Sequence, residues 1–115
     1  MERIERIAAV NELLDIYGIL LTQRQRDALS ACYQEDLSLA EIAEETGSTR
    51  QAVHDLIHRG ERQLLYYEEQ LHILADQQQR RALLSRLERL LLQEKLPTVL
   101  DQKIRSILEA LSSIK

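Results

Sequence analysis

The sequence predicts an all-α protein, and three observations lead there. The 44% of apolar residues are mainly Leu, Ile and Ala, with four Tyr and neither Phe nor Trp, and these types favour helix over strand. They recur at three- and four-residue spacing along most of the chain, the period of one helix face. Only three Gly and one Pro interrupt them. A chain of 115 residues suits one bundle with a modest core. We expect it to be organised as a helix-turn-helix core over residues 1–75 and a C-terminal amphipathic helical pair over 76–115, used for packing or dimerisation.

The elements follow in order. Ile4, Ile7, Ala8, Val10, Leu14 and Tyr17 place an apolar stripe on a first helix that Gly18 can close. Thr22 precedes a second helix, and Gln25 stands three residues on, the pairing of a capping box; Ala28, Leu29, Cys32 and Tyr33 supply its buried side. Ser38 with Glu41 makes another box, flanked by Leu37 and Ile42 as a hydrophobic staple, and opens a short third helix ending at Gly47. A fourth begins at Ser48 or Thr49 and keeps helical spacing through Val53, Leu56, Ile57, Leu64, Tyr67, Leu71 and Leu74, to about Ala75. Gly60 falls on its apolar side, where it allows either close helix packing or a kink. Asp76 with Gln79 can restart or continue the helix, so a boundary is expected near Asp76. Leu83, Leu84, Leu87, Leu90 and Leu91 precede a break at Leu96 and Pro97, and Leu100, Ile104, Ile107, Leu108, Leu111 and Ile114 follow it. That pattern predicts two helices in a hairpin, whose stripes must bury against each other, the first half, or a second copy.

Residues 38–62 satisfy the requirements of a helix-turn-helix. Ala43 is small where two helices cross, Gly47 supplies the tight turn, and Ile42, Val53 and Leu56 form an inward wedge. Thr46 and Ser48 put hydroxyls where such motifs commonly hold aliphatics. The segment LLTQRQRDALSACYQEDLSLAEIAEETGSTRQAVHDLIHRGERQLLYYEEQL resembles the YlxM-like family of small bacterial proteins, themselves similar to the fourth region of sigma factors. The resemblance covers roughly residues 4–75 and rests most on LLTQRQR, SLAEIAEE and TRQAVHDLI followed by YYEEQL. It departs from the family at Gly47–Thr49, where an aliphatic is usual, and at His54, where a tyrosine is common. The resemblance implies a sigma-region-four-like bundle and a role as regulator or accessory of the signal recognition particle, the protein-targeting machine, contacting its RNA or its GTPase. The motif itself points to duplex DNA.

On the fourth helix the outward residues are Arg50, Gln51, His54, Asp55, His58 and Arg62, with Arg59 at the side. Arg50 and Gln51 can bond guanine and adenine edges bidentately, while Thr49, Arg59 and Arg62 can hold phosphates. Asp55 opposes this, and residues 38–62 contain three arginines against five acids, so counterion release contributes little and binding should be weak. A second site lies on the fifth helix, where Arg80, Arg81, Arg86 and Arg89 accompany the leucines. Its partner is RNA phosphate, an acidic protein groove, or the acidic half of the same chain or of a twin. Charge favours the last, because residues 1–75 hold seven basic and fourteen acidic side chains and 76–115 eight and five. A homodimer is therefore one expected state.

Other classes lack support. His54 and His58 are one helical turn apart, but Asp55 replaces the glutamate of a zinc-protease helix and no third ligand is near in sequence, so no metal site is expected. No cofactor loop, nucleophile elbow or paired-carboxylate arrangement occurs, so neither a cofactor nor catalysis is expected. The N-terminal stretch is too interrupted by charge for a secretory leader, no apolar run reaches the ~20 residues of a membrane span, and a lone Cys32 suits a reducing compartment. A cytoplasmic location without membrane insertion is expected.

Overall fold

The computed structural model describes residues 3–114, with side chains from residue 5 onward. It contains six helices and no strand among the described residues: α1 Arg3–Tyr17, α2 Gln23–Tyr33, α3 Leu39–Thr46, α4 Arg50–Leu71, α5 Ile73–Gln93 and α6 Thr98–Ser112, with a 3-10 turn at Gly18–Leu20. The all-α class and the helix-turn-helix core are as the sequence predicts. The chain forms two compact units, Met1–Leu74 and Ala75–Lys115.

Local chemistry sets most ends in the first unit. Both capping boxes form: the Gln25 and Glu41 backbone N–H groups donate to the Thr22 and Ser38 hydroxyls at 3.2 and 3.1 Å, and each side chain accepts in return from the capping residue's N–H. Gly47 sits at φ +67°, and the N–H groups of Gly47 and Ser48 both return to the Ala43 carbonyl, closing α3. Thr49 caps α4 by accepting from the Ala52 N–H at 3.0 Å. In the 3-10 turn after α1, the Gly18 carbonyl accepts both from the Leu21 N–H at 3.0 Å and from the Arg26 guanidinium, which reaches back from α2 at 2.9 Å.

The core joins Val10, Leu13, Leu14 and Tyr17 of α1 to Ala28 and Leu29 of α2, Ile42 and Ala43 of α3, and Val53, Ile57 and Leu64 of α4. Leu29, Leu64 and Tyr17 are sealed at its centre. Gly60 is buried, and a Cβ there would lie 2.7 Å from Cδ1 of Leu29. Close packing against Leu29 accounts for this glycine, and α4 runs through it without a break.

Several burial expectations need correction. Leu13 belongs to the core and Ala8 is exposed, because the inward arc of α1 is centred nearer Leu13 than the expected stripe implied; the Ile4 side chain lies outside the described residues. Cys32 and Tyr33 are only half-buried, and Leu71 is exposed. α4 also stops before Ala75. His72 adopts a left-handed φ of 56°, and α5 starts at Ile73. The restart is capped from afar: the Glu68 carboxylate accepts from the Leu74 N–H at 2.9 Å and from the Tyr17 hydroxyl at 2.6 Å, and the Tyr17 oxygen accepts from the Ile73 N–H at 3.2 Å. Asp76 is in the first turn of α5 rather than at its cap.

In the second unit, Pro97 occupies the N-cap of α6 and its carbonyl accepts from the Asp101 N–H at 2.9 Å. Leu91 and Leu108 are buried and Leu84 and Ile104 half-buried. Within one chain the rest of the stripes is not covered, since Leu83, Leu87, Leu90, Leu100, Ile107, Leu111 and Ile114 are exposed. A pair of helices covers only the sides that face each other, and these leucines and isoleucines spread over more of each helix than that. No helix among the described residues is long and apolar enough to cross a membrane.

Candidate nucleic-acid interface

α3, the Gly47 turn and α4 build the candidate site. Thr46 and Ser48 show how hydroxyls serve in a seam where aliphatics are common: the Thr46 hydroxyl donates to the Ile42 carbonyl at 2.8 Å and lies 2.7 Å from the Ser48 hydroxyl. The turn is thereby tied to α3 by polar contacts, while Ala43 and Val53 close the apolar side.

At about 100° per residue, the buried residues Val53, Ile57, Gly60 and Leu64 occupy one arc of α4. Arg50, Gln51, His54, His58 and Arg62 occupy another, with Arg59 at its edge and Thr49 at the helix start. All seven are exposed. The structure therefore brings every residue of this predicted set onto one outward surface, including the N-terminal end of α4, whose partial positive charge favours anions.

That surface is partly self-occupied. The Gln51 side-chain amide donates to Asp55 Oδ1 at 3.0 Å, and His54 Nδ1 lies 3.6 Å from the same oxygen. The rings of His54 and His58 stack with centroids 5.5 Å apart and an interplanar angle of 14°. Reading an adenine with Gln51 thus requires breaking its bond to Asp55. Among the described residues, no group of three or more His, Cys, Asp or Glu side chains is placed to hold a metal ion.

Sequence counting misjudged one charge. Glu61, included among the acids opposing a polyanion, is turned away from the site and its side chain is only 12% exposed. It accepts from Arg6 Nη2 of α1 at 3.0 Å and from the Tyr33 hydroxyl of α2. The bond to Glu61 holds the Arg6 guanidinium more firmly protonated than usual, and burial, reinforced by Glu61, pushes the Tyr33 phenol well above its ordinary value. Between Thr49 and Arg62 the exposed face of α4 consequently carries three arginines against Asp55, and Glu69 is exposed farther along the helix. No local sequence signal marks this cluster, because its members lie 28 and 55 residues from Glu61.

The predicted basic set lies in the second unit. Arg80, Arg81, Arg86 and Arg89 are all exposed on α5, and Arg81 Nη2 donates to Gln77 at 3.3 Å. Leu84 and Leu91 mark the covered side of this helix, while Leu83, Leu87 and Leu90 form a separate exposed strip.

Comparison with known proteins fits this architecture. Residues 4–105 match the UPF0122 family model, described as "Putative helix-turn-helix protein, YlxM / p13 like". A UPF0122 protein of Symbiobacterium thermophilum is 49% identical over 88 residues, covering 76% of this chain and 79% of the relative. UPF0122 proteins of Bacillus cereus strain AH187 and Bacillus anthracis strain A0248 are each 40% identical over 111 residues, 96% of this chain and 98% of theirs. The match extends past the helix-turn-helix into α6, so both units are included. With its turn geometry, its outward α4 face and this coverage, the chain belongs to the UPF0122 family of YlxM/p13-like helix-turn-helix proteins.

Proposed function

We propose that this chain is a non-catalytic nucleic-acid-binding accessory of the signal recognition particle, acting on the particle's RNA or GTPase. The observation that supports binding is the exposed arc Arg50, Gln51, His54, His58 and Arg62, flanked by Thr49 and Arg59, with three guanidinium groups and only Asp55 against them. The choice of this particle rests on the YlxM-like resemblance. Arg50 and Gln51 make base contacts, Thr49, Arg59 and Arg62 hold phosphates, and the arginines of α5 supply a second contact for polyanion or acidic protein.

A second reading, a transcriptional regulator reading duplex DNA, is favoured by the presentation of Arg50 and Gln51 in the first turn of α4, the part of a recognition helix that meets base edges. One experiment separates the two: salt-dependent titration with duplex DNA and particle RNA in parallel. The accessory reading expects binding to the RNA that weakens in Arg50→Ala/Gln51→Ala, and capture of the chain by RNA and GTPase that falls when Arg80, Arg81, Arg86 and Arg89 are charge-reversed. Binding to duplex alone selects the regulator, and no binding to either nucleic acid at low salt together with no capture by the GTPase rejects both.

A further inference from the structure

The flank of the helix-turn-helix away from His54 and His58 contains a groove that the nucleic-acid reading does not use. α2, α3 and α4 enclose a cavity of ≈ 370 Å³ with a floor of Ala31, Ile42, Ala52, Val53 and Leu56. Its lip carries Asp27, Glu35 and Glu45, all exposed, against a single cation, Arg24. An apolar floor inside an acidic lip is complementary to a basic amphipathic helix.

This chain contains such a helix. On α5, Leu83, Leu87 and Leu90 are 56%, 41% and 50% exposed, and their spacing places them on one strip, with Arg80 and Arg86 along its two edges at about 60°. Leu84 and Leu91, on the covered side, are not part of it. Among the described residues, neither Glu35 and Glu45 nor Arg80 and Arg86 have an ion-pair partner. Large apolar side chains in contiguous exposed rows mark interaction surfaces.

We propose that two copies of this chain pair reciprocally, the Leu83–Leu87–Leu90 strip of each seated in the acidic groove of the other, with Arg80 and Arg86 against Glu35 and Glu45. Each copy carries one groove and one strip, so a pair related by a twofold axis occupies both surfaces of both partners. Leucines fill the cavity and supply affinity; the charges fix the partner and the register. Pairing covers Ala52 and Leu56 but not the arc of Arg50, Gln51, His54, His58 and Arg62, whereas it takes up Arg80 and Arg86, so it competes with any polyanion for the α5 arginines.

Sedimentation of the full-length chain over a broad concentration series tests this. The wild-type chain should form a dimer. Glu35→Arg/Glu45→Arg and Arg80→Glu/Arg86→Glu should each raise its dissociation constant about tenfold or more. Mixing the two variants should restore pairing as a heterodimer, because the basic strip of one then meets the intact acidic groove of the other, and the reversed strip meets the reversed groove. Circular dichroism verifies that these exposed substitutions leave helicity unchanged; if either reversal perturbs it, Glu35→Gln/Glu45→Gln and Arg80→Gln/Arg86→Gln replace the pairs and should each weaken the dimer. A monomeric wild type, a dimer indifferent to the groove substitutions, as strip-to-strip association would give, or failure of the charge-reversed mixture to pair overturns the proposal.

Discussion

Tyr17 and Gly60 show how single residues set the geometry on which α4 depends. The Tyr17 hydroxyl donates to Glu68 and accepts from the Ile73 N–H, so Tyr17→Phe leaves two partners short of a bond and should cost about 1–3 kcal/mol, read as a lowered urea midpoint. Burial, then Glu68, holds the Tyr17 phenol above its ordinary value near 10, and burial does the same for Tyr33. For a group whose pKa is raised on folding, the stabilisation is complete below the unfolded value and lost as pH climbs through the folded one. Stability should therefore be insensitive to these tyrosines up to about pH 10 and fall above it, with a smaller alkaline loss in Tyr17→Phe; an equal loss in both proteins would contradict this. At Gly60, alanine gains about 1 kcal/mol of helix propensity but puts its Cβ 2.7 Å from Cδ1 and 3.3 Å from Cγ of Leu29. Leu29 is sealed in the core and has nowhere to swing. Overpacking of about 1–3 kcal/mol should win, and thermal denaturation of Gly60→Ala should show a lower midpoint.

At the scale of elements, the turn between α3 and α4 is the part with a defined conformational requirement. A Cβ at Gly47 would meet nothing within 4 Å, yet φ is +67°, so substitution acts through the backbone alone. Gly47→Ala should lose about 1 kcal/mol, and Gly47→Asn, which tolerates left-handed geometry better, should lose less. Equal losses would place the cause in packing. The same separation of roles holds along α4: its N-terminal half presents the outward arc, while farther on Glu61 and Glu68 turn inward to Arg6, Tyr33 and Tyr17.

For the whole molecule, formal net charge is −4, and any affinity for a polyanion must come from how charge is distributed. With three arginines on the α4 face, the slope of log K against log salt for duplex should be about −3 or shallower. Asp55→Asn removes the opposing charge and weakens the competitor for Gln51, so binding at low salt should tighten about three- to tenfold. Unchanged affinity would mean that this face does not meet the nucleic acid. Titration of wild type and variant across a salt series reads both quantities.

The sequence by itself determined the helices, their caps and the helix-turn-helix. Those depend on contacts within a few residues: Thr22 with Gln25, Ser38 with Glu41, the left-handed Gly47, and the three-and-four rhythm of Val53, Ile57 and Leu64. It also placed the outward arc of α4, because one side of an amphipathic helix follows from the other. Only the tertiary structure decided that Glu61 is withdrawn from that arc, that α4 ends at His72 under a cap made by Glu68 and Tyr17, and that Gly60 exists for Leu29. Each of these joins residues far apart in the chain, and periodicity says which side of a helix is apolar without saying which distant side chain will meet it.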